Sequence, residues 1–299
     1  MIGRALSANL LGAGYDVTVL SRDPKSYKKH LPSGVKLSKW DPLQSKGLDK
    51  IFEDSEAVVN LVGENLAGSG FIPARWSSRR KQQLIESRTT PGKTISEAIR
   101  ATSNPPTVLI QASAVGFYGT SETGVFTEDN PPGSDFLAAV CKAWERSTES
   151  VTEIGVRHVV TRSAIVLDAQ EGALHRLIFP FKLFLGGSLG NGKQWFPWIH
   201  PVDEIRAIRF LFENENAHGP FNVIAPNPVR NAELAKVIGA TMGRPAVFPV
   251  PSFALRIVLG KVATMVLEGQ RAIPKRLENL GFTFQYPDLG PALRDILSS

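Results

Sequence analysis

The chain carries one cysteine, Cys141, among 299 residues. A single thiol excludes an intrachain disulfide and a cysteine-built metal cage. The five histidines are scattered without the spacing of a metal site, so no metal is expected. Long apolar runs are also missing. The most apolar stretch, 253–267, contains Arg256 and Lys261 and is too short and too charged to cross a bilayer. No secretory leader, internal repeat or low-complexity linker is visible, and a soluble cytoplasmic protein is the expectation.

The opening of the chain lacks something more specific. Met1-Ile2-Gly3-Arg4-Ala5-Leu6 reads as the first turn of a helix, with a strand following over 15–20. A nucleotide-binding βαβ unit normally begins with a strand and a glycine-rich turn, whose backbone amides hold phosphate. Of that opening only a last glycine, Gly3, is recognisable. The reading frame is therefore expected to extend upstream, with Met1 an internal methionine. Without that first strand, a gap is expected near the middle of the sheet.

What is present is ordinary globular composition, 42% hydrophobic and 21% charged. The net charge of +6 permits an anionic ligand, but the basic residues are interleaved with Asp and Glu. The densest run, Arg79-Arg80-Lys81 beside Arg75, reads as a solvated helix face ahead of a nucleic-acid surface. Apolar runs at 17–20, 57–62, 107–112 and 157–162, the last continuing through 164–167, alternate with helical stretches at 3–13, 77–100 and 136–154. Nearly continuous Val, Ile and Leu strands between helices predict an α/β fold with a doubly wound, Rossmann-like parallel sheet covered on both faces. From about Gly172 glycine and aromatic residues dominate. A helix over 202–214, a strand over 219–224 and helices over 231–242, 252–268 and 288–297 follow. The division expected is a nucleotide-binding domain over 1–225, with 172–200 contributing to the substrate cleft, and a small, mostly helical lobe over 226–299.

Four segments carry the candidate chemistry. Ser21-Arg22 ends the strand that meets the adenosine ribose in dinucleotide folds. An arginine there without an acid favours NADP(H) over NAD, since it can accept a 2′-phosphate. Leu61-Val62-Gly63-Glu64 follows the next strand, where a glycine lets a ligand approach the backbone. Ser113 emerges from a buried strand ahead of Gly116, Phe117, Tyr118 and Gly119. Its hydroxyl could bind a substrate alcohol or carbonyl, or simply cap a turn, and Tyr118 could donate a proton or pack against a ligand. Gln194, Trp195, Trp198 and His200 pair aromatic walls with polar groups, as a substrate pocket requires. Asp203 is placed to begin the helix that follows, and a His200–Asp203 bond that fixes the loop is favoured slightly over catalysis.

Ile2-Gly3, 113–119 and 194–203, with Asp135-Phe136-Leu137, Val140-Cys141, Trp144-Glu145, Glu268-Gly269-Gln270-Arg271, Pro274 and 281–284, resemble an extended or atypical short-chain dehydrogenase/reductase. More narrowly, the chain is similar to the epimerase-like subfamily that carries a cell-division-inhibitor-like label. The resemblance covers essentially the whole chain. It implies a doubly wound NAD(P)-binding domain with a small carboxyl-terminal substrate lobe, and within that domain the residues read above, Gly3, Ser21, Arg22 and 61–64, are the ones expected at the cofactor.

The departures from that pattern bear on the chemistry. Active members of the wider superfamily place a tyrosine four residues before a lysine on one helix face, where the lysine lowers the phenol pKa. Here the residues four beyond Tyr15, Tyr27, Tyr118 and Tyr286 are Val19, Leu31, Glu122 and Gly290. Aligned through Glu145, the pair falls on Leu137 and Cys141, and Lys142 lies about 100° round the helix. Cys141 reads as a buried structural thiol. Arg162 and Arg271 either face an anionic substrate group or form structural ion pairs. Two functions stay open. One is an NADP(H)-binding, epimerase-like oxidoreductase acting on a small alcohol or carbonyl through Ser113 and Tyr118. The other is a nucleotide-binding, regulatory or scaffold protein that has lost turnover. A small molecule is the expected partner, and an oligomer is compatible with the sequence.

Overall fold

The expected parallel sheet is present, in two hydrogen-bonded pieces. The computed structural model describes residues 1–68, 70 and 73–298. A first helix, α1 (Ile2–Gly12), leads into β1 (Thr18–Ser21) and β2 (Lys36–Lys39), which pair with each other in parallel. Then come β3 (Ala57–Asn60), α2 (Ser78–Ala101), β4 (Val108–Ala114), α3 (Phe136–Arg146) and β5 (Arg157–Ser163). The chain continues through α4 (Gly172–Lys182), α5 (Pro201–Glu213), β6 (Gly219–Val223), α6 (Asn231–Met242), α7 (Ser252–Leu259) and α8 (Leu289–Ser298). The strand order is β6-β5-β4-β3, all parallel. Among the described residues no ladder joins β3 to β1, so the gap expected in the sheet falls between them. Side chains bridge it instead, with Leu20 and Val62 packed beside Leu48, Phe52, Ile99 and Leu109.

The central strands form because both of their faces are covered. Val108, Leu109 and Ile110 are fully buried, each contributing roughly 1.5–3 kcal/mol of apolar burial. On one face α1 and α5 pack Leu6, Ile205, Ile208 and Leu211 against Val108, Ile110, Val159 and Phe221. On the other, α2 supplies Ile95 and Ile99. A second core joins α4, α6 and α8 around Trp198. β2 has no counterpart in the sequence expectations, because its Lys-Leu-Ser-Lys sequence offers one apolar residue and no buried one.

Two expected helices are interrupted. The stretch 136–154 breaks after Arg146, where the Ser147 hydroxyl donates to the Trp144 carbonyl and the Thr148 hydroxyl to that of Glu145, competing with the helical ladder. Residues 149–154 continue as a tighter 3-10 turn. The stretch 252–268 breaks at Gly260, whose φ of 58° ends α7 in a conformation that favours glycine. Helix α5 is capped by His200 rather than Asp203, since the Val202 amide donates to His200 Nδ1 at 3.2 Å.

Gly92 lets α2 approach the end of α3. A Cβ at Gly92 would lie 1.9 Å from Ser147 Oγ and 2.8 Å from Ser147 Cβ, and the second atom cannot rotate away. Gly92→Ala therefore lowers the unfolding free energy by about 1–3 kcal/mol, although alanine is the better helix former. Denaturant unfolding measures this, and an unchanged or raised midpoint would show that the two helices can separate at no cost.

Candidate functional site

Ser113 lies at the carboxyl end of β4, in register with Arg162 on β5. Alternation along the strands puts both side chains on the face covered by α3. There Ser113 Oγ donates to Glu145 Oε1 at 2.6 Å. Arg162 grips the same carboxylate with two bonds, Nε to Oε1 at 3.0 Å and Nη2 to Oε2 at 2.9 Å. Its third contact is Nη1 donating to Tyr118 Oη at 3.0 Å, and Tyr118 donates onward to Asn222 Oδ1 at 2.7 Å. The Asn222 amide donates to Glu128, and the Arg162 guanidinium lies 3.5 Å from the Phe117 ring centroid. Ser113 and Tyr118 are thus joined in one buried chain of bonds.

Burial pushes Tyr118 up to about 12, with Arg162 opposing the shift. Its proton is held at neutral pH and already donated to Asn222. For Arg162, burial works against the charge, but Glu145 and Tyr118 together outweigh it and raise the pKa. Burial, followed by the Glu145 charge, pushes the Cys141 thiol up to about 12. A neutral thiol and Leu137 therefore occupy the positions where a Tyr/Lys couple would stand. The Ser113 O–H is committed to Glu145, so the oxygen presents lone pairs for an incoming donor. Glu145 was not singled out from sequence as a site residue. Its signal was the spacing, four residues beyond Cys141 and eight beyond Leu137 on one helix face.

The residues expected at a cofactor sit at the same end of the strands. A Cβ at Gly3 would lie 3.7 Å from Leu61 Cδ1, so the first turn of α1 abuts the segment after β3. Ser21 ends β1 and its Oγ accepts from the Asp23 amide. Arg22 is exposed and makes no hydrogen bond or ion pair with another described residue. The Val62 amide donates to Asn60 Oδ1 at 3.1 Å. Gly63 lies over Arg88, which would come within 3.2 Å of a Cβ there, and Arg88 donates to the Glu64 carbonyl. The Glu64 carboxylate is paired with Arg80. A free cation beyond β1, an unacidic first helical turn without a side-chain cap and a glycine-relieved backbone after β3 fit a phosphorylated dinucleotide.

The segment 194–200 is split. Gln194 is buried, and its amide donates to the Leu189 and Val266 carbonyls. Trp195 is half-buried between two guanidiniums, Arg230 at 4.3 Å and Arg271 at 5.0 Å. Trp198 is fully buried in the second core. The His200 ring stacks on Tyr286 at 3.7 Å, with Nε2 3.2 Å from Asp295, and burial lowers its pKa. Leu255, Met265, Val266 and Leu267 pack against the same buried cluster, Trp76, Leu84, Leu259, Val262 and Ala263, as Leu66, Phe136 and Leu137 do, which brings the carboxyl-terminal segment toward the start of α3. Among the described residues no group of side chains could hold a metal ion, and no helix is long and apolar enough to cross a membrane.

Residues 1–224 match the NAD dependent epimerase/dehydratase family, and residues 250–296 match a domain of unknown function, DUF1731. The chain is 38% identical to the Arabidopsis thaliana epimerase family protein SDR39U1 homolog, chloroplastic, over 99% of this chain and 84% of that protein. It is similar to the crystal structure of the human epimerase family protein SDR39U1 with NADPH. That likeness has a TM-score of 0.89 and 34% identity, over 100% of this chain and 96% of that one. A nucleoside-diphosphate sugar epimerase from Corynebacterium glutamicum has a TM-score of 0.77 and 32% identity, over 99% of this chain and 56% of that one.

On the opposite face of the sheet, Ser163 Oγ donates to Glu204 Oε1 at 2.7 Å, and Glu204 is fully buried in the first turn of α5. Burial raises its carboxyl to about 7. The folded state therefore keeps a proton that the unfolded chain loses near pH 4.5. This group's cost to stability is absent below that pH and grows until about pH 7. Glu204→Gln removes the dependence. The stability of wild type relative to this variant should fall by about 2–3 kcal/mol between pH 4.5 and 7.5, read by denaturant unfolding at each pH. A constant difference would show that Glu204 ionises freely in the fold.

Proposed function

We propose, since this chain belongs to the NAD dependent epimerase/dehydratase family, that it binds NADPH along the carboxyl ends of β1, β3 and β4 and acts on a small alcohol or carbonyl through Ser113. The observation that carries this reading is the bond from Ser113 to a carboxylate clamped by Arg162. Support for the nucleotide comes from the similar human protein, which was crystallised with NADPH, and from the unpaired Arg22 beyond β1. Arg22 would hold the 2′-phosphate, the first turn of α1 at Gly3 the pyrophosphate, and Ser21 and 61–64 the remainder. When bound, NADPH supplies hydride chemistry that no side chain here can provide.

The protein's own residues orient the substrate and move a proton. Ser113 Oγ accepts a hydrogen bond from the substrate hydroxyl. In the oxidising direction the substrate proton passes to Ser113 as the serine proton passes to Glu145, and in the reducing direction both move back. Arg162 holds the carboxylate in place, and Tyr118 acts as a positioning residue for Arg162. Gln194 and Trp195 border the substrate side, whereas Trp198 and His200 hold the lobe that carries them.

Leu137 and Cys141 favour a second reading, nucleotide binding without turnover. Fluorescence titration and turnover assays separate the two. Arg22→Ala should weaken NADPH binding about tenfold or more and leave NADH within about twofold, the loss of one charge-assisted phosphate contact. Equal losses for both nucleotides would remove Arg22 from the phosphate site. With a carbonyl substrate that oxidises NADPH, Ser113→Ala should lower kcat by about 10²-fold or more. Tight NADPH binding with no oxidation across a broad carbonyl panel would establish the second reading.

A further inference from the structure

The small lobe keeps an apolar face open after its interior is filled. Helix α7 buries Leu259 against Trp76 and Leu84, yet Phe253 and Ile257, one turn apart on its outer side, are each 67% exposed. Beside it, the Phe248 amide donates to the Gly186 carbonyl, the Val250 amide to that of Ser188, and the Gly190 amide back to that of Val250. These bonds bring the exposed Phe184 and Leu185 next to the exposed Val247 and Phe248. Phe184 is held at a φ of 61°, a costly conformation for an aromatic residue, with its ring turned outward under the Arg244 guanidinium at 4.3 Å.

The charge carried by the segments that form this face is of one sign. Residues 172–194 and 242–267 contain no aspartate or glutamate. Lys182, Arg244, Arg256 and Lys261 are all exposed, and none forms an ion pair among the described residues. A symmetric contact with a second copy would bring these cations together across the interface, with no carboxylate in 172–194 or 242–267 of either copy to pair them. Apolar tips ringed by cations instead match the layered chemistry of an anionic membrane surface, with acyl boundary beneath and phosphate above.

We propose that this face docks the protein peripherally on an anionic lipid bilayer. Phe184, Phe248, Phe253 and Ile257 enter the acyl boundary, while Lys182, Arg244, Arg256 and Lys261 meet the headgroup phosphates. Docking would set the lobe that packs toward the start of α3 against the lipid.

The test is sedimentation of the full chain with vesicles of phosphatidylcholine alone and of an equal mixture with phosphatidylglycerol. Wild type should partition onto the mixed vesicles about tenfold or more over phosphatidylcholine alone. The pair Phe253→Ser with Ile257→Ser, and separately the pair Lys182→Glu with Lys261→Glu, should each lower that partitioning about tenfold. Unchanged melting temperatures confirm that both variants remain folded. Wild type that ignores phosphatidylglycerol, or variants that bind like wild type, would overturn the proposal. So would a dimer in solution that the Phe253→Ser and Ile257→Ser pair converts to monomer.

Discussion

The buried pair between Arg162 and Glu145 is the interaction on which the candidate site depends. Both partners are largely removed from water, and the two bonds between them are close to ideal in length. Such a pair is weak evidence for stability, because desolvating two charges offsets most of their attraction. Its effect is on position. Through it β4, β5 and α3 share one set of bonds, and through Tyr118 and Asn222 that set extends to β6. Removing either partner would strand a charge in the interior and free Ser113 to turn.

On the proposed reading, proton handling lies with Ser113 and Glu145, away from the helix face where the superfamily pattern set out above places a Tyr/Lys couple. A phenol needs a neighbouring cation to lose its proton near neutrality, and the equivalent face here carries Leu137 and a protonated thiol. What remains at that edge of the sheet is a serine already bonded to a carboxylate. A serine in that state accepts better than it donates. The proposal of an alcohol or carbonyl substrate therefore rests on the Ser113–Glu145 bond.

The parts legible in the sequence were those under a strong physical constraint. The strands over 108–114 and 157–163 are buried on both faces, so their composition is nearly continuous and resists any other assignment. Helix α6 was found with its bounds intact because Gly243, in the left-handed region, stops it sharply. β2 escaped notice because an edge strand with lysines at both ends has no apolar signature. The breaks at Ser147 and Gly260 arise from local hydroxyl bonds and from a backbone angle, neither of which alters helical periodicity. Glu145 stayed hidden because an isolated helical glutamate looks solvated until its cation partner is found on a distant strand. His200 and Trp198 were legible as a cluster, but only packing places Trp198 in the second core and His200 against Tyr286.

The division of the sheet has an energetic consequence. β1 and β2 are joined to the rest by side-chain packing around Leu20 and Val62, with no shared ladder among the described residues. Such a unit can open on its own, so its amide protons should exchange with solvent well before those of β4 and β5. A dinucleotide lying across both pieces would act as a cross-brace. Each tenfold rise in its concentration above the dissociation constant would add about 1.4 kcal/mol against that local opening.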